Sequence, residues 1–153
     1  MANPLLLVCV ALGLAATIED LWRRLISNTT IIAGLAAGFA LQVWFRGWRQ
    51  GPIGWAAGAA AGLAVFLIFF LLGGMGGGDI KLMAAFGSCL GAGQVLRAAL
   101  LAAIAGALLA CAYLLAGWAR RRFRKERPHP PQPETIPYAP AIFVGILLSF
   151  AAS

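Results

Sequence analysis

Acid is scarce in this chain. Glu19, Asp20, Asp79, Glu126 and Glu134 are its only side-chain carboxylates. Histidine is scarcer still: His129 stands alone among prolines in a polar stretch, and no serine or cysteine forms a nucleophilic arrangement with it. The cysteines Cys9, Cys89 and Cys111 lie singly inside apolar runs. Without a C-x-x-C pair, neither a zinc ribbon nor a disulfide framework is supported, and apolar packing is the expected role of each. No metal-ligand set is visible, and no cofactor is expected. Charge of either sign is low, at 11% of residues against about 25% in an average domain.

What fills the chain instead is apolar. Of 153 residues 61% are hydrophobic, and the mean hydropathy is +0.86. No soluble domain of this size needs so much apolar surface. The expectation is an all-α polytopic membrane protein, one compact domain over 1–153. The opening stretch, 1–17, lacks the basic residues that precede the apolar core of a signal peptide, since Arg23 and Arg24 follow it. It reads as a retained first helix.

A membrane helix takes about 20 mostly apolar residues, and the charged positions divide the chain on that scale. Segments are expected over 4–21, 28–45, 53–72, 79–90, 96–119 and 139–152, six in all. Gly47, Gly51 and Pro52 break the chain between the second and third. Gly91 and Gly93 end the fourth, which is short for a span, as is the sixth. The polar stretch 120–138, arginine-rich and then proline-rich, reads as a loop. Glycines at four-residue spacing (Gly34 and Gly38; Gly54, Gly58 and Gly62; Gly87 and Gly91) are faces on which helices pack closely in lipid.

Basic residues set the orientation. Arg23, Arg24, Lys81, Arg120, Arg121, Arg122, Arg124, Lys125 and Arg127 fall on the first, third and fifth connections, nine of the 12. Arg46, Arg49 and Arg97 fall on the other face. The nine-rich side is expected to be cytoplasmic, which brings Asp20 and Asp79 to the same, cytoplasmic face. The run 120–127 serves topology and attraction to anionic lipids; nucleic acid is not an expected partner.

Asp79 ends the glycine stretch Gly73-Gly74-Met75-Gly76-Gly77-Gly78-Asp79-Ile80-Lys81. A carboxylate beside a membrane-length run is costly unless something uses or compensates it, and glycine lets another backbone approach closely. Each aspartate also has a plain reading. Asp20 could pair with Arg23 or Arg24, and Asp79 could cap a helix start. Two carboxylates that share a site cannot both ionise cheaply, so one keeps its proton. One can then activate water while the other polarises a carbonyl, the division of labour of an aspartic protease. Lys81 could act on a nearby aspartate or anchor its helix at the headgroups. Glu19 points elsewhere than Asp20, because adjacent helical residues do not share a face.

Three stretches together resemble the type IV prepilin peptidases, the GxGD membrane aspartic proteases. Asp20-Leu21-Trp22-Arg23-Arg24-Leu25-Ile26-Ser27-Asn28 is similar to the family's aspartate, basic patch and I-P-N, with Ser27 where the family has proline. Met75-Gly76-Gly77-Gly78-Asp79-Ile80-Lys81-Leu82 is similar to its M-G-x-G-D-x-K-L. Ile136-Pro137-Tyr138-Ala139-Pro140-Ala141 is similar to its closing P-Y-x-P. The resemblance implies a catalytic pair, Asp20 and Asp79, with Gly76, Gly78 and Lys81 supporting substrate. It implies cleavage of a prepilin or pseudopilin leader at the cytoplasmic face of the bacterial inner membrane. The form is the short one without the zinc and methyltransferase region, like those of Flp or Tad systems, so N-methylation is not expected. The other class to weigh is a non-catalytic scaffold of a pilus or secretion apparatus. A proton-relay transporter fits less well, since neither aspartate lies mid-segment.

Overall fold

The computed structural model describes residues 3–72, 76–123 and 138–151. Its regular structure is helical: α1 (Pro4–Arg23), α2 (Asn28–Leu71), α3 (Gly77–Leu90), α4 (Ala92–Phe123) and α5 (Ala139–Ala151). Gly73, Gly74 and Met75, and 124–137 of the expected loop with Glu126, His129 and Glu134, lie outside the described residues.

The long α2 is not one rod. Gly47 has φ 73° and ψ 173°, a combination open to glycine and closed to residues with a Cβ. The chain turns back there. A Cβ on Gly51 would meet the Val43 backbone at 2.7 Å. Trp55 donates its indole N–H to the Leu35 carbonyl at 2.9 Å. Phe39 meets Trp48 and Trp55 edge-on, with ring centroids 6.0 and 5.8 Å apart. So α2 is a helical hairpin with arms 28–46 and 48–71. Of the three expected breakers only Gly47 breaks the helix. Pro52 lies inside the second arm without ending it.

With the hairpin arms counted separately, the described residues form six helical rods, as the charge spacing predicts. α1, α2 and 92–112 of α4 are long and apolar enough to cross a membrane, and α5 is a shorter apolar helix. The chain is an all-α polytopic membrane protein. Two boundaries differ from expectation. α3 ends at Gly91 alone, with φ 80°, and Gly93 is inside α4. α4 also continues through Phe123, past the expected end at Ala119. Arginine is a good helix former, and basic residues suit a helix C-terminus, so the arginine run does not stop the helix.

α3 is the centre of the molecule. Eleven of its 14 residues are buried, among them Leu82, Met83 and Phe86 at 0% exposure. The α2 hairpin cradles it through glycine. A methyl on Gly58 would fall on the Gly87 carbonyl oxygen, and one on Gly38 would fall on Ser88. At about 1.5 Å per residue, α3 is roughly 21 Å long, short of the ~30 Å hydrocarbon layer. Its far end is therefore left at depth, and side chains satisfy it: buried Gln42 donates Nε2–H to the Cys89 carbonyl at 3.0 Å.

α1 is more peripheral. It leans mainly on α5, where the Phe143 ring covers Gly13. Cys9 of α1 lies beside Cys89 of α3, whose thiol donates to the Gly34 carbonyl at 3.7 Å, and both are buried, as expected. Cys111 is not packed; it is exposed on α4, a helix whose outer surface carries exposed Leu100, Ile104 and Leu108. Between α1 and the first arm of α2 runs a groove of about 410 Å³, lined by small residues such as Ala11, Ala15, Ala33 and Ala37.

Candidate active site

α1 runs toward Asp20 and α3 runs away from Asp79. Asp20 lies eleven positions beyond Cys9, and Cys89 ten positions beyond Asp79. At about 1.5 Å per residue both aspartates lie roughly 15–17 Å along their helices from the thiol contact, at the same end of the molecule. The link between α1 and α2 closes that end. Ile26 packs on Gly78, and Lys81 donates Nζ–H to Asn28 Oδ1 at 3.4 Å. The structure thus brings Asp20 and Asp79 together, within electrostatic reach of one another, each only 8% exposed.

The hydrogen bonds of the two carboxylates are alike. Asp79 Oδ2 accepts the Gly76 N–H at 3.2 Å, and Asp79 N–H donates to the Gly76 carbonyl at 3.2 Å. This is the reciprocal cap that an acid at the third helical position makes. Asp20 Oδ2 accepts the Ala139 N–H at 3.0 Å. That amide opens α5, and a carboxylate at a helix N-terminus is favoured by the unpaired amides and the dipole there. Among the described residues, Oδ1 of each aspartate has no hydrogen-bond partner, and no ion pair joins Asp20 to Arg23 or Arg24. Each carboxylate is therefore held by one oxygen and left free at the other. Such a pair can take a proton from water at one free oxygen and present a proton to a carbonyl from the other.

The supporting residues separate. Gly76 holds Asp79 through its amide. Gly78 is a contact surface for Ile26. Lys81 reaches Asn28 rather than Asp79. Two contributors had no sequence signal that named them. The Ala139 amide is one; Pro140 after it marks a helix start, but nothing in the sequence points it at Asp20. The other is Glu19, which accepts hydrogen bonds from Ser27 and Thr30. Thr17, one helical turn before Asp20, carries the single buried side-chain oxygen without a partner among the described residues. Beside Ala139, an apolar cavity of about 180 Å³ is lined by Phe66, Phe69, Gly106 and Tyr138. Among the described residues no three His, Cys, Asp or Glu side chains group as a metal set would.

A polytopic helical protein with two buried acids converging at one end of the bundle is the class these features define. Residues 6–111 match the profile of the type IV leader peptidase family, a span that includes both Asp20 and Asp79, and the chain belongs to that family. It is also similar to a prepilin leader peptidase/N-methyltransferase of Bacillus subtilis (strain 168), 38% identical over 78 residues. That match covers 51% of this chain and 27% of the relative, so the chain spans less than a third of the relative's length. No solved structure matches it.

Proposed function

We propose that this chain is a membrane-embedded aspartic endopeptidase that removes the leader from type IV prepilin-like proteins, with Asp20 and Asp79 as its catalytic pair. The observation that carries the reading is the matched state of the two carboxylates, each fixed through Oδ2 by a backbone N–H. Family membership gives the substrate class. In this mechanism the attacking water is taken up between the free oxygens. One aspartate takes its proton as the oxygen attacks the scissile carbonyl; the other, protonated, donates to the carbonyl oxygen. The intermediate collapses as the leaving amine takes a proton back. The glycines around Asp79 present backbone to the extended leader junction, with Gly76, Gly78 and Lys81 supporting it.

The pair faces the cytoplasm of the bacterial inner membrane in this proposal, by the distribution of arginine and lysine. The unit 1–153 works as one peptidase domain, with its polar stretch 120–138 on the cytoplasmic side. Its substrates are prepilins or pseudopilins of the Flp or Tad kind.

A specific observation favours the second reading, a scaffold without catalysis: both aspartates satisfy backbone amides, which is a structural task. Asparagine separates the two readings. Its side-chain oxygen can still accept from Gly76 or Ala139, but it cannot ionise. Leader cleavage of the host's small pilins in membranes, with Asp20→Asn and Asp79→Asn, is the test. General acid–base chemistry contributes about 10²–10⁴-fold, so each variant should lose at least a hundredfold while staying folded and inserted. Near wild-type cleavage by either removes that residue from the catalytic pair and returns the scaffold reading.

A further inference from the structure

Glu19 precedes Asp20 on α1 and has no part in the two-aspartate chemistry. Yet it is the most heavily hydrogen-bonded acid in the described structure. Its Oε2 accepts the Ser27 N–H at 2.8 Å. Its Oε1 accepts the Ser27 hydroxyl at 3.0 Å and the Thr30 hydroxyl at 2.8 Å. Ser27 Oγ in turn accepts the Thr30 N–H at 3.2 Å and so caps α2. Bonds to an ionised carboxylate are about twice as strong as neutral ones. One side chain therefore ties the end of α1 to the start of α2.

The segment it ties leads to the other aspartate. Arg24 takes a left-handed conformation, φ 52°, and its N–H closes α1 on the Asp20 carbonyl at 2.9 Å. Ile26 then lies on Gly78, one residue before Asp79, and Asn28 accepts from Lys81, two residues after it. The chain from Asp20 to Asp79 thus passes through a short link whose shape Glu19 holds. Ser27 sits at φ −70° and ψ 144°, inside the range a proline ring imposes. The same backbone shape can be kept either by a ring at position 27 or by a carboxylate gripping its N–H.

We propose that Glu19 is a positioning residue: by clamping Ser27 and Thr30 it sets the link between α1 and α2, and through Ile26 and Asn28 it registers Asp79 against Asp20. This rests on the peptidase reading above. It requires that a proline at 27 substitute for the clamp, since proline needs no N–H acceptor at that φ.

The test is a cycle on the full chain in membranes: wild type, Glu19→Ala, Ser27→Pro and the double variant, each measured for kcat and KM of leader cleavage. Misplacement of catalytic groups by about an ångström costs up to ~10²-fold. Glu19→Ala is expected to lower kcat by about tenfold to a hundredfold, with KM nearly unchanged, and Ser27→Pro on that background is expected to recover most of the loss. Wild-type kcat in Glu19→Ala overturns the proposal, as does a folded double variant no faster than Glu19→Ala. Amide hydrogen exchange over 25–30 reads the clamp without any cleavage. It should quicken in Glu19→Ala while α3 stays protected, and unchanged exchange also overturns the proposal. If wild type cleaves no leader, the peptidase reading fails by itself, and exchange still decides whether the clamp exists.

Discussion

α3 and α1 each carry one aspartate, and they are held in opposite ways. α3 lies inside the α2 hairpin with most of its residues buried, seated glycine against backbone. α1 has five buried residues in 20, a groove along one side, and a few discrete ties: the Phe143 ring on Gly13, the Cys9–Cys89 contact, the Ala139 amide on Asp20 and the Glu19 clamp. Close packing places Asp79, whereas hydrogen bonds place Asp20. Interiors resist deformation because they are packed like crystals; a few polar ties can be broken one at a time. Substitutions that add volume should therefore hurt the surroundings of α3 far more than those of α1.

The largest effect is expected at Gly58. A side chain there meets the Gly87 carbonyl, which is backbone and cannot turn aside. Overpacking of this kind costs about 1–3 kcal/mol or more, and Gly58→Val should lower the thermal midpoint of the detergent-solubilised protein by several degrees or prevent its recovery. Ala33→Leu adds more volume, but into the groove beside α1, and should shift the midpoint little. The pair is read by size-exclusion chromatography after a heating series. Equal losses would show that α1 is packed as tightly as α3, and the contrast would be gone.

That contrast was only half legible in the sequence. The six rods, the close-packing glycines and the shared end of the two aspartates follow from hydropathy, small-residue spacing and the arginine–lysine count. These are properties of the chain read locally, or of the bilayer that every segment must satisfy. Which tie holds which aspartate is not local. Asp20 meets an amide 119 residues away, and no spacing rule joins α1 to the first residue of α5. Glu19 reads as the weaker candidate because it points elsewhere than Asp20, and it reaches Ser27 instead. Ser27 stands where the resembled I-P-N has proline, and its N–H, which a proline lacks, is accepted by Glu19. For Lys81 the sequence offers an aspartate or the headgroups, and nothing in it points to Asn28, the partner to which Lys81 donates.

A smaller effect is expected at the far end of α3, where packing gives way to a single polar tie. Gln42 is 4% exposed and donates from the hairpin to the Cys89 carbonyl of α3. Leucine there keeps comparable bulk but leaves that carbonyl without its side-chain donor at membrane depth. An unsatisfied buried group costs about 1–3 kcal/mol, so Gln42→Leu should destabilise the protein by less than Gly58→Val. Leader cleavage, measured below the midpoint, should hold near the wild-type rate, since Asp79 is at the other end of the helix. A large loss of cleavage with full stability would mean that α3 transmits its far-end capping to the site.

The smallest effect is expected within the hairpin itself. Trp55 reaches from the second arm to the Leu35 carbonyl on the first and packs edge-on against Phe39. Trp55→Phe keeps a ring beside Phe39 and removes the N–H donor. Leu35 O is a helical carbonyl that still has its own backbone partner, so the net loss is that of one ordinary hydrogen bond, about 1 kcal/mol. If glycine packing is what closes the cradle around α3, this change should lower the midpoint only slightly and leave cleavage alone. If it instead opens the hairpin as far as Gly58→Val does, then the aromatic ties hold the arms together and the glycines only permit their approach to α3.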